Sequence, residues 1–515
     1  MTITMILEMA ASVSDRAVVT ADGRSLTAAQ LLERARSAAG RFRGRPAVLY
    51  RGANHLAYPV ALFGAALAGV PFVPLNYRLG EAQLKAIEDR HPGALVLGAA
   101  DTDRLVDPGD RITGEDDPSE AQDPDRPPDQ DAVAVVLYTS GTTAAPKAAL
   151  LRHRHLLAYV LNTLEFDSAE DGDAALVAVP PYHVAGLTNL LSNLWTGRRV
   201  VYLPAFDATR WLATVRRERV THAMLVPTML ARIVAAVAAA DAEAPTLRHL
   251  AYGGARTPRP VVERALTLFP DTGFVNAYGL TETASSLAVL GPDDHRAALG
   301  ASDPALRDRL SSVGRALPGV EIEIRRADGT TATPGETGLV FVRGEQISGE
   351  YRGRSALDAQ GWFPTRDRGR LDADGYLFIE GRADDTIIRG GENIAPEEIE
   401  DVLLAHPGIS EAAVVGVPDP EWGQRIVAVL VGEGEPDAIR QWVRERLRSS
   451  KTPDTVIFRA DLPKTETGKL LRRALLAEWD TGSGAHVPGS DVPGAGVSGT
   501  DTQPEPKTGW ETTHA

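Results

Sequence analysis

Three stretches of the chain hold side chains suited to binding phosphate and divalent cations. The first is Tyr138-Thr-Ser-Gly-Thr-Thr-Ala-Ala-Pro-Lys147. The hydroxyls of Thr139, Ser140, Thr142 and Thr143 and the backbone N–H groups around Gly141 can donate to phosphate oxygens, and Lys147 adds positive charge. It is not a Walker loop, because Pro146 stands where the second glycine belongs and Ala148 where the magnesium-binding hydroxyl belongs. Alone, it reads equally as a polar surface turn ending in a lysine. The second stretch, Tyr278-Gly-Leu-Thr-Glu282, offers a ring that can stack on a flat base and a carboxylate that can hold Mg²⁺ through oxygen. Its alternative is a strand end in which Thr281 caps a helix. The third, Tyr252-Gly-Gly-Ala255, has two glycines at the end of an apolar run, where a flat group can approach the backbone or a plain turn can form.

These stretches need elements to hold them. Between about residues 45 and 279, short apolar runs alternate with longer amphipathic ones. Strands are predicted at 133–138, 174–179, 199–203, 223–226, 250–252 and 274–278, with helices at 152–164, 228–240 and 258–268. Such alternation implies a layered α/β fold with largely parallel sheets. From 320 to 382 the pattern turns β-like, at 320–324, 339–342 and 376–379, and predicts a smaller β subdomain. Beyond 382 a further α+β unit is expected, with helices at 396–406 and 437–448 and strands at 412–417 and 426–431. Residues 101–131, rich in Asp and Pro, read as an exposed loop, and 481–515, almost free of apolar residues, as a disordered tail. Within that tail, Gly494-Ala-Gly496-Val-Ser-Gly499 matches a dinucleotide fingerprint by chance, with no strand before it and no helix after.

Together these motifs resemble the acyl-activating, adenylate-forming ANL superfamily of acyl-CoA synthetases, peptide-synthetase adenylation domains and luciferases. The resemblance runs in order from about Ala47 to Arg472 and is nearest to fatty acyl- and aryl-CoA synthetases and acyl-carrier-protein ligases. It implies a large domain over 1–382 holding the acid and ATP, and a small mobile domain over 383–480. It implies that the loop Thr139 to Lys147 cradles phosphates, that Gly254, Ala255 and Tyr278 border adenine, and that Thr281 meets the α-phosphate. Glu282 would serve Mg²⁺. Asp367, in Trp362-Phe-Pro-Thr-Arg-Asp367, would accept from both ribose hydroxyls, with Arg382 beside it. Asp384 matches the hinge. Lys469, in Pro463-Lys-Thr-Glu-Thr-Gly-Lys469, matches the catalytic lysine, whose ammonium bridges two anions, carboxylate and α-phosphate, and stabilises the transition state. His183, in Pro180-Pro-Tyr-His183, is the residue expected to close over the reacting carboxylate, the alternative being a core or capping histidine. Ala185, Gly186, Gly253, Gly390 and Gly391 would line the acyl and thiol channel. Three departures stand out: Ala144, Ala148 and Arg366 replace residues that are commonly glycine in the family. The resemblance further implies ATP and Mg²⁺ as cofactors, a carboxylic acid as substrate, and either CoA or a carrier-protein phosphopantetheine as acceptor. No Asp for an amino group is identifiable, so a non-amino acid is expected. Arg440, Arg444, Arg446, Arg448 and Lys451 could meet either CoA phosphate or an acyl carrier protein.

The bulk properties agree with this. With 515 residues the chain exceeds one ordinary core. Its formal charge of −15 argues against general binding to nucleic acid or anionic membranes. Cys 0 excludes disulfides, thiolate metal sites and a cysteine nucleophile, and a cytoplasmic location is expected. Residues 1–10 show no secretory pattern. The uncharged run 56–75 is broken by prolines and reads as a buried helix entering a buried strand, not a membrane span. A non-thiol acceptor, or a silent nucleotide-binding relative of the fold, are the competing expectations.

Overall fold

A computed structural model describes residues 1–106, 129–139, 147–237, 243–389, 392–465 and 468–480. In its strands, successive side chains point to opposite faces. Val48 and Tyr50 of the strand Val48–Tyr50 enter a central core, while Leu49 enters a different one. Val135 and Leu137 of Val133–Thr139 point inward likewise, and Val136 outward. In a second sheet Val177, Val200 and Tyr202 face the same central core, while Leu176 and Val201 face away. Strands buried on both faces read as continuous apolar runs, which is why those at 133–138, 174–179 and 199–203 were legible, while the three-residue Val48–Tyr50 was not predicted.

The central layer holds the helices Thr4–Val13, Ala28–Phe42, Ala57–Ala68 and Val184–Thr196. The far face of the second sheet is covered by Ala208–Arg217, Pro227–Ala236 and Arg259–Leu268, with Trp211 fully buried among them. This second sheet is nine-stranded, the first seven-stranded. The run 56–75 forms the buried helix Ala57–Ala68, closed by Gly69 at φ 70°, and the strand Phe72–Pro74. Among the described residues no helix is long and apolar enough to cross a membrane.

The expected helix at 152–164 is present as His153–Thr163, but the segment between it and Lys147 is a strand that was not predicted, and one expected loop is corrected. Lys147–Arg152 is a strand antiparallel to Val133–Thr139, with Thr139 opposite Lys147, and only then does the helix His153–Thr163 begin. Ala148 therefore lies in a strand, its methyl packed in the outer core near Leu49 and Val136, so alanine costs nothing there. The start of the expected loop 101–131 belongs instead to the helix Ala99–Val106, held by burial of Leu105 and Val106 and by Asp101, which accepts from Gly98 N at 3.0 Å. Residues 107–128 and 481–515 lie outside the described residues, as do Ser140, Gly141, Thr142, Thr143 and Ala144 and the glycines 390 and 391.

The β subdomain is a four-stranded antiparallel sheet of Glu321–Arg325, Gly338–Arg343, Phe363–Leu371 and Leu377–Arg382. The strand Phe363–Leu371 was not predicted. Its inward positions are Phe363, Thr365, Asp367 and Gly369, so polar residues hide the period of two. Further on, the paired strands Ile409–Asp419 and Gly423–Gly432 bury Val414, Ile426 and Leu430 against the helix Pro396–Leu404. Their other face buries Val415, Val427 and Val429 with Leu475 of the helix Arg472–Asp480.

Candidate active site

The strand Gly273–Leu280 and its antiparallel neighbour Ser285–Leu290 create a reversal at the outer side of the nine-stranded sheet. Glycine is obligatory at position 279, since a Cβ there would stand 1.9 Å from the Ser285 carbonyl oxygen. The reversal displays Tyr278, Thr281 and Glu282, and the backbone after it is left-handed at Ala284, φ 52°. Tyr278 Oη donates to Asp367 Oδ2 at 2.5 Å. Burial, and then Asp367, push the phenol well above its ordinary pKa, so it remains a donor. Arg382, opposite Asp367 on the neighbouring strand, donates to Oδ1 at 2.9 Å. Asp367 is 5% exposed and its backbone N–H donates to Thr365 Oγ1 at 3.1 Å. A carboxylate has about four lone-pair sites, so Asp367 retains capacity for further donors such as a diol.

Glu282 is buried, and Tyr351 Oη donates to its Oε1 at 2.6 Å. Its backbone carbonyl accepts from Ser348 N at 2.9 Å and Gly349 N at 3.0 Å. Tyr351 belongs to the short strand Glu350–Tyr351, which pairs with Ala149 in the strand that follows Lys147. Arg152, in that same strand, grips Glu350 through two hydrogen bonds of 2.8 and 2.7 Å. The phosphate-loop strand and Glu282 are thus tied together through Tyr351. Tyr351 escaped notice in the sequence, because a two-residue strand leaves no periodic signal.

Lys469 follows a tight turn in which Gly468 N donates to Thr465 O at 2.8 Å and Lys469 N to Thr465 Oγ1 at 3.0 Å. Its side chain is exposed to solvent, and desolvation by the surrounding protein, then the Arg382 charge, lower its pKa from the ordinary lysine value. Asp367 and Asp385 pull the other way. An ammonium under the influence of these charges can bridge two bound anions, which is the electrostatics an acyl–phosphate attack requires.

The two aspartates after Arg382 have partners on opposite sides. Arg366, at φ 65°, meets Asp384 at 3.4 Å from the β subdomain. Asp385 meets Arg472 at 3.2 Å, and Arg472 also binds Glu397 at 3.0 Å and Glu400 at 2.7 Å. The first pair is exposed and contributes at most about 1 kcal/mol. The second is a buried node that removal of one member would leave uncompensated. Arg366 thus replaces the customary glycine in glycine's own backbone region.

The remaining expected site residues lie on neighbouring elements, with Gly253 paired to Ala277 beside Tyr278. His183 precedes the helix Val184–Thr196, and no hydrogen bond among the described residues joins it to Asp367, Glu282 or Lys469. Its Nε2 is buried without a partner, and burial, then Arg78, lower its pKa to about 4, so the ring is neutral. Gly186 is required by packing, since a Cβ would be 2.8 Å from the Pro180 carbonyl oxygen. Ala185 packs at the edge of the core on the far side of the nine-stranded sheet. Gly253 answers to its neighbour strand, with Ala277 O only 2.1 Å from such a Cβ, whereas Gly254, at φ 88°, has open space and Ala255 is half-buried. His153 and His155 are buried, accept backbone N–H bonds from Ile3 and Arg152, and sit near pKa 4 through burial. Of the expected basic docking group, Arg440 pairs with Asp437, Lys451 with Glu398, and Arg446 lies 3.3 Å from the Trp442 ring centroid.

Residues 7–352 match the model of the AMP-binding enzyme family, and residues 398–469 that of the AMP-binding enzyme C-terminal domain. The chain belongs to the AMP-binding enzyme family. This AMP-binding enzyme is 37% identical over 480 residues to a feruloyl-CoA synthase of Amycolatopsis sp, covering 87% of this chain and 93% of the relative. It is 32% identical over 489 residues to the fatty acid–[acyl-carrier-protein] ligase ScoC of Streptomyces coeruleorubidus, covering 89% and 92%. The o-succinylbenzoate CoA synthetase of Bacillus subtilis, solved with its acyl-adenylate intermediate, superposes with a TM-score of 0.76 at 28% identity, over 91% of this chain and 97% of that one. The expected superfamily and layered α/β fold are therefore correct, and this AMP-binding enzyme is an adenylate-forming, AMP-releasing acid–thiol ligase.

Proposed function

We propose that the enzyme activates a non-amino aryl or fatty acid with ATP and passes the acyl group to the thiol of CoA. The observation that carries this reading is the hydrogen-bonded Tyr278–Asp367–Arg382 group, with Glu282 four residues beyond Tyr278 and the charges of Arg382 and Asp367 acting on Lys469. Asp367 and Arg382 hold the ribose, Tyr278 and the Gly254–Ala255 backbone border the adenine, and Thr139, Lys147 and Thr281 meet the phosphates. Ser140, Gly141, Thr142 and Thr143 complete that cradle in this reading. Glu282 fits a magnesium ion, because Tyr351 occupies only one of its oxygens. When bound, magnesium neutralises charge on the departing pyrophosphate. Lys469 offsets repulsion as a carboxylate oxygen attacks the α-phosphorus and the bond to pyrophosphate breaks. Residues 383–480 then turn about Asp384, which withdraws Lys469 and brings Gly390 and Gly391 to a thiol passage. The thiol sulfur attacks the acyl carbon, its proton passes to solvent, and AMP leaves. His183, kept neutral by burial, is assigned to the acid side in this reading.

A carrier-protein thiol is the second reading, supported by the likeness to ScoC. The pairing of Arg440 and Lys451 within the chain weakens the idea of a wholly free basic patch. Pyrophosphate release measured with ferulate, benzoate, octanoate and palmitate, each with CoA, with phosphopantetheinylated carrier protein, or alone, separates the two. Multiple turnover with CoA supports the first reading, and multiple turnover with the carrier alone replaces it. No release with any acid removes both.

Tyr351→Phe removes the donor that orients Glu282. The Mg²⁺ concentration for half-maximal pyrophosphate release should rise by about 10-fold, the lower end of outer-shell effects, with KM for the acid unchanged.

A further inference from the structure

Gly468 lies against Thr228, the second residue of the helix Pro227–Ala236 on the far side of the nine-stranded sheet. A Cβ at 468 would stand 2.0 Å from Thr228 Cγ2, 2.5 Å from its Oγ1 and 2.8 Å from its Cβ. Gly468 also has φ 80°, which the hydrogen-bonded turn with Thr465 requires. Two demands therefore fall on one residue, a left-handed backbone and a vacant side-chain position, and the second is imposed by a residue 240 positions earlier in the sequence. The residue next to this contact is Lys469.

We infer that Thr228 and Gly468 form a size-matched seat that docks the lysine turn, and that both act as positioning residues for adenylate formation alone. This rests on the functional reading above, in which Lys469 serves the first half-reaction and is withdrawn for the second. The seat reaches only the pose in which Gly468 faces Thr228, so filling it disfavours that pose and leaves the rotated one untouched. Interiors tolerate added methyl groups poorly when the neighbour is rigid, and a residue in the first turn of a helix has little room to retreat.

The expected result is that Gly468→Ala slows pyrophosphate release by about 10- to 50-fold, the range of a moderate overpacking penalty. Thioester formation from supplied feruloyl-adenylate and CoA should change less than about 3-fold, because packing changes remote from a step perturb it little. Adding Thr228→Gly should restore the share of the lost rate due to packing, while the share due to alanine at φ 80° remains, and Thr228→Ala should restore less, since its Cβ still stands 2.8 Å from the added methyl. Thr228→Val alone keeps the shape of the seat and should retain the rate. If it instead fails as badly as Gly468→Ala, Thr228 acts through its hydroxyl and the packing role is overturned. Equal loss in both half-reactions, or no rescue by Thr228→Gly, overturns it as well.

A readout without any acid separates this from failure of the functional reading. The chain has Cys 0, so cysteines placed at the exposed Arg264 and Arg444 accept spin labels with no background. Gly468→Ala should move the label–label distance distribution with Mg²⁺ and ATP present, and Thr228→Gly should move it back. An unchanged distribution sinks the seat even if the enzyme adenylates ferulate.

Discussion

Replacing Lys469 with alanine is expected to lower acyl-adenylate formation by about 10²- to 10³-fold, the effect of losing one preorganised charge at a developing oxyanion. ATP affinity should hold, since Asp367, Arg382 and Tyr278 remain bonded to one another without the lysine. Thioester formation from supplied acyl-adenylate should also hold, which distinguishes a half-reaction defect from damage to the fold. Unchanged pyrophosphate release would remove the lysine from the mechanism. The wild-type pH profile carries a second sign. Burial, then Arg382, lower the Lys469 pKa, so the ammonium is lost on the way up in pH before the ordinary lysine value of 10.5 is reached. The first half-reaction should show that basic limb and the second should lack it.

Arg472→Ala should destabilise the C-terminal α+β unit by about 3–5 kcal/mol at pH 8, measured by urea unfolding. The guanidinium lies against Glu397 and Glu400, which are 8% and 9% exposed, and against Asp385. Removing it leaves two buried carboxylates facing each other with no cation. Burial already pushes Glu397 up to about 7, and one of its oxygens, Oε2, has no partner. A carboxyl whose folded pKa exceeds its unfolded value near 4.5 binds a proton more readily when folded. Its contribution therefore favours the native state at low pH and is lost as pH rises through about 7. The penalty of Arg472→Ala should accordingly shrink between pH 8 and pH 5. A penalty that is the same at both values would show that the two glutamates do not set it.

How much of this could be read in advance depended on what each position does. Strands buried on both faces, such as Ala174–Val177 and Arg199–Tyr202, announced themselves as apolar runs between turn residues. The strand Phe363–Leu371 did not, because Thr365 and Asp367 occupy inward positions that a purely structural strand would fill with valine or isoleucine. The strand Lys147–Arg152 was not predicted, since Lys-Ala-Ala-Leu-Leu-Arg has high helix propensity and only pairing with Val133–Thr139 makes it a strand. Among candidate site residues, those inside compact motifs were visible: Tyr278, Glu282, Asp367, Arg382 and Lys469. Their supports were not. Tyr351 reaches Glu282 across 69 positions, Thr228 reaches Gly468 across 240, and Arg472 joins Glu397 and Glu400 from a different helix. Such pairings depend on the tertiary path and carry no local spacing.

The division of partners between Asp384 and Asp385, at the proposed hinge, also fixes where this protein can be recombined. Asp384 is held by Arg366 from the β subdomain, and Asp385 by Arg472 from the terminal helix. A chimera that exchanges the C-terminal unit with a relative should change sequence between these two aspartates. The donor segment then brings its own counterparts of Asp385, Glu397, Glu400 and Arg472 as an intact buried set, and the recipient keeps Arg366 with Asp384. A crossover a few residues later would separate Asp385 from its cation and leave mismatched charge in the donor's interior, so tolerance to grafting should drop sharply within that short span.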